Sequence, residues 1–367
     1  MLQVTAQFPI FTIGFDLGDR RSYFEVLDAA GTVRQRGSVA TDEESIRKVL
    51  SRFAGGRVIL EASTHSPWVA ETLESMDLEV IVANPRLIPV PGGRRRQKTD
   101  KIDASLLARL GRADPEMLRR VRHRPKEDRL SMNTIRMRAC LVTMRTQAIN
   151  CVRGQLKSFA GVRIRKCDTT VFAKAARETI PPALLPVFAG MLTEIQRLTD
   201  AIKAKDKEVL ELAKQHPAVP RMTQVTGVGP LIALTFALTI QDHRRFSRSR
   251  TVGAYLGLVP RKFQSGDSDP ALPISKCGDV ALRALLVQAA HYVLGSRNKC
   301  DSDLRRFGMS RIGDGSNRVA KRKAVVAVAR RIAVLLHALW RSGEVYEPLR
   351  NANRRSGSPV AATALSQ

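Results

Sequence analysis

Carboxylates, cysteines and long apolar runs are all scarce in this sequence. Its 34 Asp and Glu face 61 Lys and Arg, a formal net charge of +27. That excess excludes an acidic or neutral scaffold and calls for a polyanionic partner, of which nucleic acid is the usual one. The five cysteines, Cys140, Cys151, Cys167, Cys277 and Cys300, form no CxxC pair and have no histidine pattern beside them. Neither a zinc site nor a disulfide framework is expected, and the thiols read as reduced. Met1 to Ile10 lacks a charged segment followed by an apolar core, and the most apolar late stretch, Ala324 to Trp340, is cut by Arg330 and Arg331. These absences argue against export and membrane insertion and predict a cytoplasmic protein.

The charge is segregated. Residues 1 to 85 hold 8 Lys and Arg against 12 Asp and Glu, whereas residues 86 to 168 hold 22 against 7. An acidic module followed by a basic stretch suits an enzyme that collects metal ions in one place and grips a polyanion in the next. At 367 residues the chain is long enough for two or three domains, each with its own core.

Phe11 to Phe15, Ser22 to Leu27 and Thr32 to Val39 read as three strands of an antiparallel meander, with a turn at Gly31. Val58 to Glu61 and Leu78 to Val82 are two further strands, with a helix from Pro67 to Ser75 between them. The order β-β-β-(α)-β-α-β is that of the ribonuclease H-like fold, so residues 1–124 are expected to form an α/β domain of that class. Asn84 to Lys98 reads as a loop rich in Pro and Gly that ends in Arg94, Arg95, Arg96 and Lys98, and a helix should begin near Thr99 and run to Gly111. Residues 125–215 carry two heptad-like helices, marked by Ile135, Val142, Ile149 and Leu156 and then by Ile195, Ile202 and Val209. They are expected to form a coiled-coil linker, with self-association and plain intramolecular packing both open. Residues 216–346 are mainly helical, and 347–367 read as a disordered tail.

Four carboxylates stand where a metal site of this fold needs them: Asp16 ends the first strand, Glu61 ends the fourth, and Asp100 and Asp103 share one face of the helix after the sheet. Phosphodiester cleavage with Mg²⁺ needs such a cluster of oxygen ligands, with positions left for phosphate and water. Asp16 between Gly14 and Gly18 also suits a turn, and Asp100 and Asp103 also suit the first turn of a helix. The convergence of separate segments carries the reading. Asp19, Asp28 and Glu71 are the rivals, read as solvated.

In the last third, Gly227-Val228-Gly229-Pro230 opens an apolar helix at Leu231 and could offer backbone N–H groups to a phosphate. Further on, Arg261-Lys262-Phe263-Gln264-Ser265-Gly266 sets a serine beside glycine on a basic loop. A hydroxyl there can attack a phosphodiester if cations stabilise the developing charge. Lys101, Lys276 and Arg283 add basic groups near the two constellations.

Ile13-Gly14-Phe15-Asp16, Leu60-Glu61-Ala62, Lys98-Thr99-Asp100-Lys101-Ile102-Asp103, Gly227-Val228-Gly229, and Gly257-Leu258-Val259-Pro260 through Ser265-Gly266 to Leu282-Arg283 together resemble the DEDD-type transposases of insertion-sequence family 110, with their Piv-like invertase relatives and RNA-guided bridge recombinases. The resemblance spans residue 11 to about 346. It implies an N-terminal domain like that of Holliday-junction resolvases, a coiled-coil linker, and a C-terminal transposase domain whose serine joins DNA covalently. It further implies Mg²⁺ (or Mn²⁺) on Asp16, Glu61, Asp100 and Asp103, Ser265 as nucleophile, and double-stranded donor and target DNA as substrates. A structured guide RNA, a homodimer or homotetramer, and a place in a prokaryotic cytosol near the nucleoid are implied with them. Nucleic-acid contacts are expected from Arg94, Arg95, Arg96, Lys98, Lys101, Gly227, Gly229, Arg261, Lys262, Lys276 and Arg283. After Ser265-Gly266 the chain continues Asp267-Ser268-Asp269-Pro270, where relatives often carry glycine and a basic residue, which makes Ser268 the second candidate. The rival readings are a hydrolytic nuclease or junction resolvase, and a non-catalytic architectural protein. Tyr23, Tyr255, Tyr292 and Tyr346 follow no Arg and His-x-x-Arg set, which argues against a tyrosine recombinase.

Overall fold

The computed structural model describes residues 9–85, 87–88, 100–264, 268, 270, 272–296 and 298–351, and of Asp100 and Lys101 only the backbone. The chain divides into two compact units, Met1–Pro125 and Lys126–Gln367.

The first unit is built on one mixed sheet. Its strands are β1 (Phe11–Asp16), β2 (Arg21–Asp28), β3 (Val33–Ala40), β4 (Arg57–Glu61) and β5 (Glu79–Ala83), in the spatial order β3-β2-β1-β4-β5. β1 pairs antiparallel with β2 and parallel with β4, and β4 pairs parallel with β5. Helix α1 (Glu43–Leu50) starts at Asp42, whose carboxylate accepts the Ser45 N–H, and α2 (Ser66–Glu74) has Pro67 in its first turn. Period-two alternation sends Ile13, Phe15, Val58 and Leu60 into a core with Ile46, Val69 and Leu73. On the other face α3 (Asp100–Ala113) buries Leu107 against Ile59 and Ile81. The expected α/β plan is present, and each strand begins and ends within a residue of its sequence-based bounds.

The second unit is almost wholly helical. It contains α4 (Lys126–Gln155), α5 (Phe172–Thr179), α6 (Leu185–Gln215), α7 (Val219–Met222), α8 (Pro230–Ile240), α9 (Val252–Tyr255), α10 (Val280–Leu294), α11 (Asp303–Ile312) and α12 (Arg318–Ser342). α4 and α6 pack antiparallel. Met132 and Ile135 near the start of α4 share a core with Val209 and Ala213 near the end of α6, and Ile149 and Val152 share another with Leu192 and Ile195. Arg138 reaches Asp206 across this seam at 2.7 Å. The heptad stripe is thus filled inside one chain, so its spacing does not establish a coiled coil between chains.

α8 is buried over its last eight residues, and α4, α6, α7 and α10 pack against it. His337 of α12 is fully buried. Its Nε2–H donates to the His243 carbonyl at 2.9 Å, so its Nδ1 accepts from the Ser249 hydroxyl at 2.9 Å. Burial holds this imidazole below its ordinary pKa. Residues 347–351, expected as the start of a tail, are pinned to α11: the Asp303 N–H donates to the Pro348 carbonyl and the Asn351 N–H to the Asp303 carboxylate, both at 2.7 Å.

Candidate active site

Asp16 is the last residue of β1 and Glu61 the last of β4. The register pairs Phe15 with Leu60, so the two acids sit side by side at the carboxyl ends of adjacent parallel strands. Alternation points both away from the Phe15 and Leu60 core, toward the face that α3 covers. Both are half-buried, as is Asp103.

Glycine fixes how α3 lies on that face. A Cβ at Gly14 would collide with the carbonyl oxygen of Ala104 and the amide nitrogen of Ala108, so the helix backbone rests directly on β1. At Gly111 a Cβ would collide instead with the Ile59 side chain of β4. Three polar contacts set the direction. Ser105 Oγ donates to Glu25 on β2 at 2.9 Å, Arg57 Nη1 on β4 donates to the Gly111 carbonyl at 3.3 Å, and Arg112 Nη2 donates to the Ala29 carbonyl beyond β2 at 2.8 Å. The end of α3 therefore lies over the start of β1, and its first turn, with Asp100 and Asp103, lies over the strand ends that carry Asp16 and Glu61.

Glu25 is a support that the sequence reading missed. It is 2 % exposed, accepts from Arg36 Nε at 2.6 Å and holds Ser105, fastening α3 to β2. Its place opposite Gly14 in the strand register was the available signal. Of the rival acids, Asp19 is exposed beside His65. Asp28, expected to be solvated, instead ties the β2–β3 turn: the Thr32 N–H and the Arg34 guanidinium hold its carboxyl below the usual carboxylate range. Among the described residues, no group of three or more His, Cys, Asp or Glu is close enough to hold a metal ion, and the Asp100 side chain is not among them.

In the second unit, Gly227 adopts φ +86° against α10, and Gly229 is exposed at the N-cap of α8 with no side-chain cap. The serine loop leaves α9 through Gly257 and returns through Gly278, with φ of +68° and +72°. A Cβ at either glycine would collide with backbone of the opposite arm. Between them the arms pair: Lys276 N–H donates to the Gly257 carbonyl, Ser275 N–H to Val259, and Arg261 N–H to Pro273, at 2.8 to 3.1 Å. Arg261, Lys262 and Lys276 are exposed on these arms, while Ser265 and Arg94, Arg95, Arg96 and Lys98 lie outside the described residues. Arg283 is 9 % exposed, and its Nη1 donates to the carbonyls of Leu256 at 3.1 Å and Cys277 at 2.8 Å. Its guanidinium clamps the base of the loop rather than facing solvent.

A mixed sheet whose parallel strands end in Asp16 and Glu61, crossed by a helix that begins with two aspartates, is consistent with a ribonuclease H-like phosphodiester-processing domain. Residues 13–160 match the DEDD transposase family of IS110 elements, and residues 219–305 match the family described as Transposase IS116/IS110/IS902. The chain is 30% identical over 303 residues to a probable family 20 transposase of Pseudomonas aeruginosa, with 79% of this chain and 86% of the relative covered. It is 28% identical over 304 residues to the transposase for insertion sequence element IS1111A of Coxiella burnetii, covering 79% of each, and 29% identical over 356 residues to a putative transposase of Sinorhizobium fredii, covering 86% and 88%. The chain belongs to the IS116/IS110/IS902 family of transposases. It is a DNA transposase enzyme whose DEDD family implies a divalent metal. Among the described residues, no helix is long and apolar enough to cross a membrane.

Proposed function

We propose that this transposase cuts and rejoins DNA through a covalent serine–DNA intermediate, with Asp16, Glu61, Asp100 and Asp103 holding Mg²⁺ (or Mn²⁺). The observation that carries the reading is the crossing of α3 on Gly14, which sets the helix's first turn over the carboxyl ends of β1 and β4. Hard carboxylate oxygens drawn from three segments fit a hard divalent cation, which supplies Lewis-acid stabilisation of the phosphate oxygens when bound. Ser265 Oγ forms a bond to phosphorus as the bond to a deoxyribose oxygen breaks. The serine proton passes to a carboxylate acting as general base, and the leaving oxygen takes up a proton. Attack by that oxygen's counterpart on the second strand reverses these events and frees the serine.

Ser265 is the nucleophile and Ser268 the alternative, carried on arms whose cations Arg261, Lys262 and Lys276 contact phosphates. Arg94, Arg95, Arg96, Lys98 and Lys101, close to Asp100 in the sequence, contact the DNA backbone, and Gly227 and Gly229 offer N–H groups at the start of α8. Arg283 serves as a positioning residue. A structured guide RNA that pairs with donor and target DNA is proposed on the family resemblance alone; the net charge of +27 supports only a polyanionic partner. Acids and serine meet within one chain or between the subunits of a homodimer or homotetramer.

The test is denaturing electrophoresis of the protein with its element's RNA, Mg²⁺ and labelled end-containing DNA. Wild type yields a protease-sensitive adduct that Ser265→Ala and Asp16→Ala both lack. Cleavage without an adduct, unaffected by Ser265→Ala, identifies a hydrolytic nuclease instead.

A further inference from the structure

A large groove of the second unit lies where no site residue was expected. It has a volume of ≈ 1140 Å³, above the range of about 300–1,000 Å³ usual for small-molecule sites. One wall is the base of the serine loop, through Pro260, Leu272, Pro273 and Ile274; the floor is α12, through Val326, Val334 and Leu335. Around this apolar floor stand Arg250, Arg311, Arg322, Lys323, Arg330 and Arg331, and no described carboxylate is within salt-bridge distance of any of them. The acids of the groove are Asp303, which accepts the Asn351 N–H, and Glu347.

Phe307 of α11 is half-buried in this groove, and two of the cations lie over its ring. The Arg331 Cζ is 3.3 Å from the ring centroid and the Arg311 Cζ 4.6 Å. Two like charges on one ring repel each other: burial and Arg311 lower the pKa of Arg331, and Asp303, which forms no salt bridge with it, offsets them only in part. Such an arrangement is relieved by an anion. A guanidinium so close to an aromatic ring also enlarges the surface on which a nucleobase can stack. Duplex DNA would set its charged backbone against the valine and leucine floor, whereas an unpaired strand offers bases to the floor and phosphates to the rim.

We infer that this groove binds an unpaired segment of the DNA strand being processed, with bases on the α12 floor and the Phe307–Arg331 layer and phosphates on Arg311 and its neighbours. The inference rests on the strand-transfer reading only in that the groove adjoins the serine loop, and its test needs no catalysis. A Ser265→Ala chain is titrated with a labelled single-stranded oligonucleotide and with the same sequence as duplex. Adding Arg311→Gln and Arg331→Gln together weakens single-strand binding by at least tenfold and lowers its salt slope by about 1.4, from about 0.7 per phosphate contact. Phe307→Leu weakens it by about fivefold or more, while duplex binding stays within twofold throughout. In the unmutated groove, a strand carrying 5-iodouracil crosslinks to peptides from 303–311 or 322–335. Unchanged single-strand affinity, equal losses for duplex and single strand, or crosslinks confined to other peptides overturn the inference. A missing serine adduct with these binding results intact would sink the nucleophile assignment alone.

Discussion

Gly14→Ala adds one methyl group to the strand that ends in Asp16, and the account predicts that this disables the enzyme. The new Cβ collides with the Ala104 carbonyl oxygen and the Ala108 amide nitrogen, both backbone atoms of α3, and stands 3.0 Å from the Ala104 carbonyl carbon. No side chain can rotate to make room. Restoring a van der Waals separation of roughly 3.5 Å requires α3 to move off β1 by about 1 Å or more. The helix cannot follow freely, because Ser105, Gly111 and Arg112 tie it to β2 and β4. Overpacking of this kind costs about 1–3 kcal/mol, or roughly 4–8 °C of Tm per kcal/mol for a unit near 100 residues. The greater effect falls on the acids. Carboxylate ligands must keep their distances to about 0.2 Å, and a misplacement of about 1 Å costs on the order of 10²-fold in rate. The assay pairs thermal unfolding with strand-transfer rate and Mg²⁺ titration. Gly14→Ala with wild-type Tm, full rate and unchanged Mg²⁺ dependence would refute the idea that close α3–β1 contact positions the metal site.

Glu25→Ala leaves Ser105 and Arg36 without their buried acceptor; it should destabilise the first unit by about 1–3 kcal/mol, read by urea unfolding, and a change under 0.5 kcal/mol counts against Glu25 as the fastening of α3. Arg283→Ala uncaps the carbonyls of Leu256 and Cys277; limited proteolysis should then cut faster between Arg261 and Lys276 and strand transfer should fall at least tenfold, whereas an unchanged cleavage pattern removes its positioning role. His216 and His337 are held below their ordinary pKa chiefly by burial. Because the unfolded chain takes up protons first, below about pH 6.5, their contribution is complete above that pH and is lost as pH falls toward their folded-state values. Tm should therefore decline between pH 7 and 5, with a shallower decline in His337→Gln; identical slopes would show that this imidazole is not involved.

The strands were legible because each is a short apolar run with a turn signal beside it, and that places Asp16 and Glu61 at strand ends, while their role as metal ligands remains a proposal. The crossing of α3 on Gly14 was not legible, since a glycine in a strand marks a close approach without naming its partner. α11 escaped for a different reason. Leu304, Phe307 and Gly308 face the core among three arginines and an aspartate, a pattern too sparse to read as an amphipathic helix. The heptads of α4 and α6 were visible, but a heptad does not say whether its partner lies in the same chain, and Arg138 with Asp206 shows that it does here. Arg283 read as a phosphate contact because neighbouring residues do not reveal burial. The two carbonyls it satisfies are turned toward it by Gly257 and Gly278, which the sequence placed but could not orient.

The central claim is that a serine of the 257–278 loop becomes joined to DNA. It is tested most directly by trapping the reaction with labelled end DNA, digesting protein and DNA, and fragmenting the tryptic peptide Phe263–Lys276 in a mass spectrometer. The account predicts a nucleotide phosphate on Ser265 that disappears in Asp16→Ala. The same mass on Ser268 moves the nucleophile by three residues and leaves the chemistry standing. A modified residue outside this loop, or strand transfer with an unmodified peptide, contradicts it.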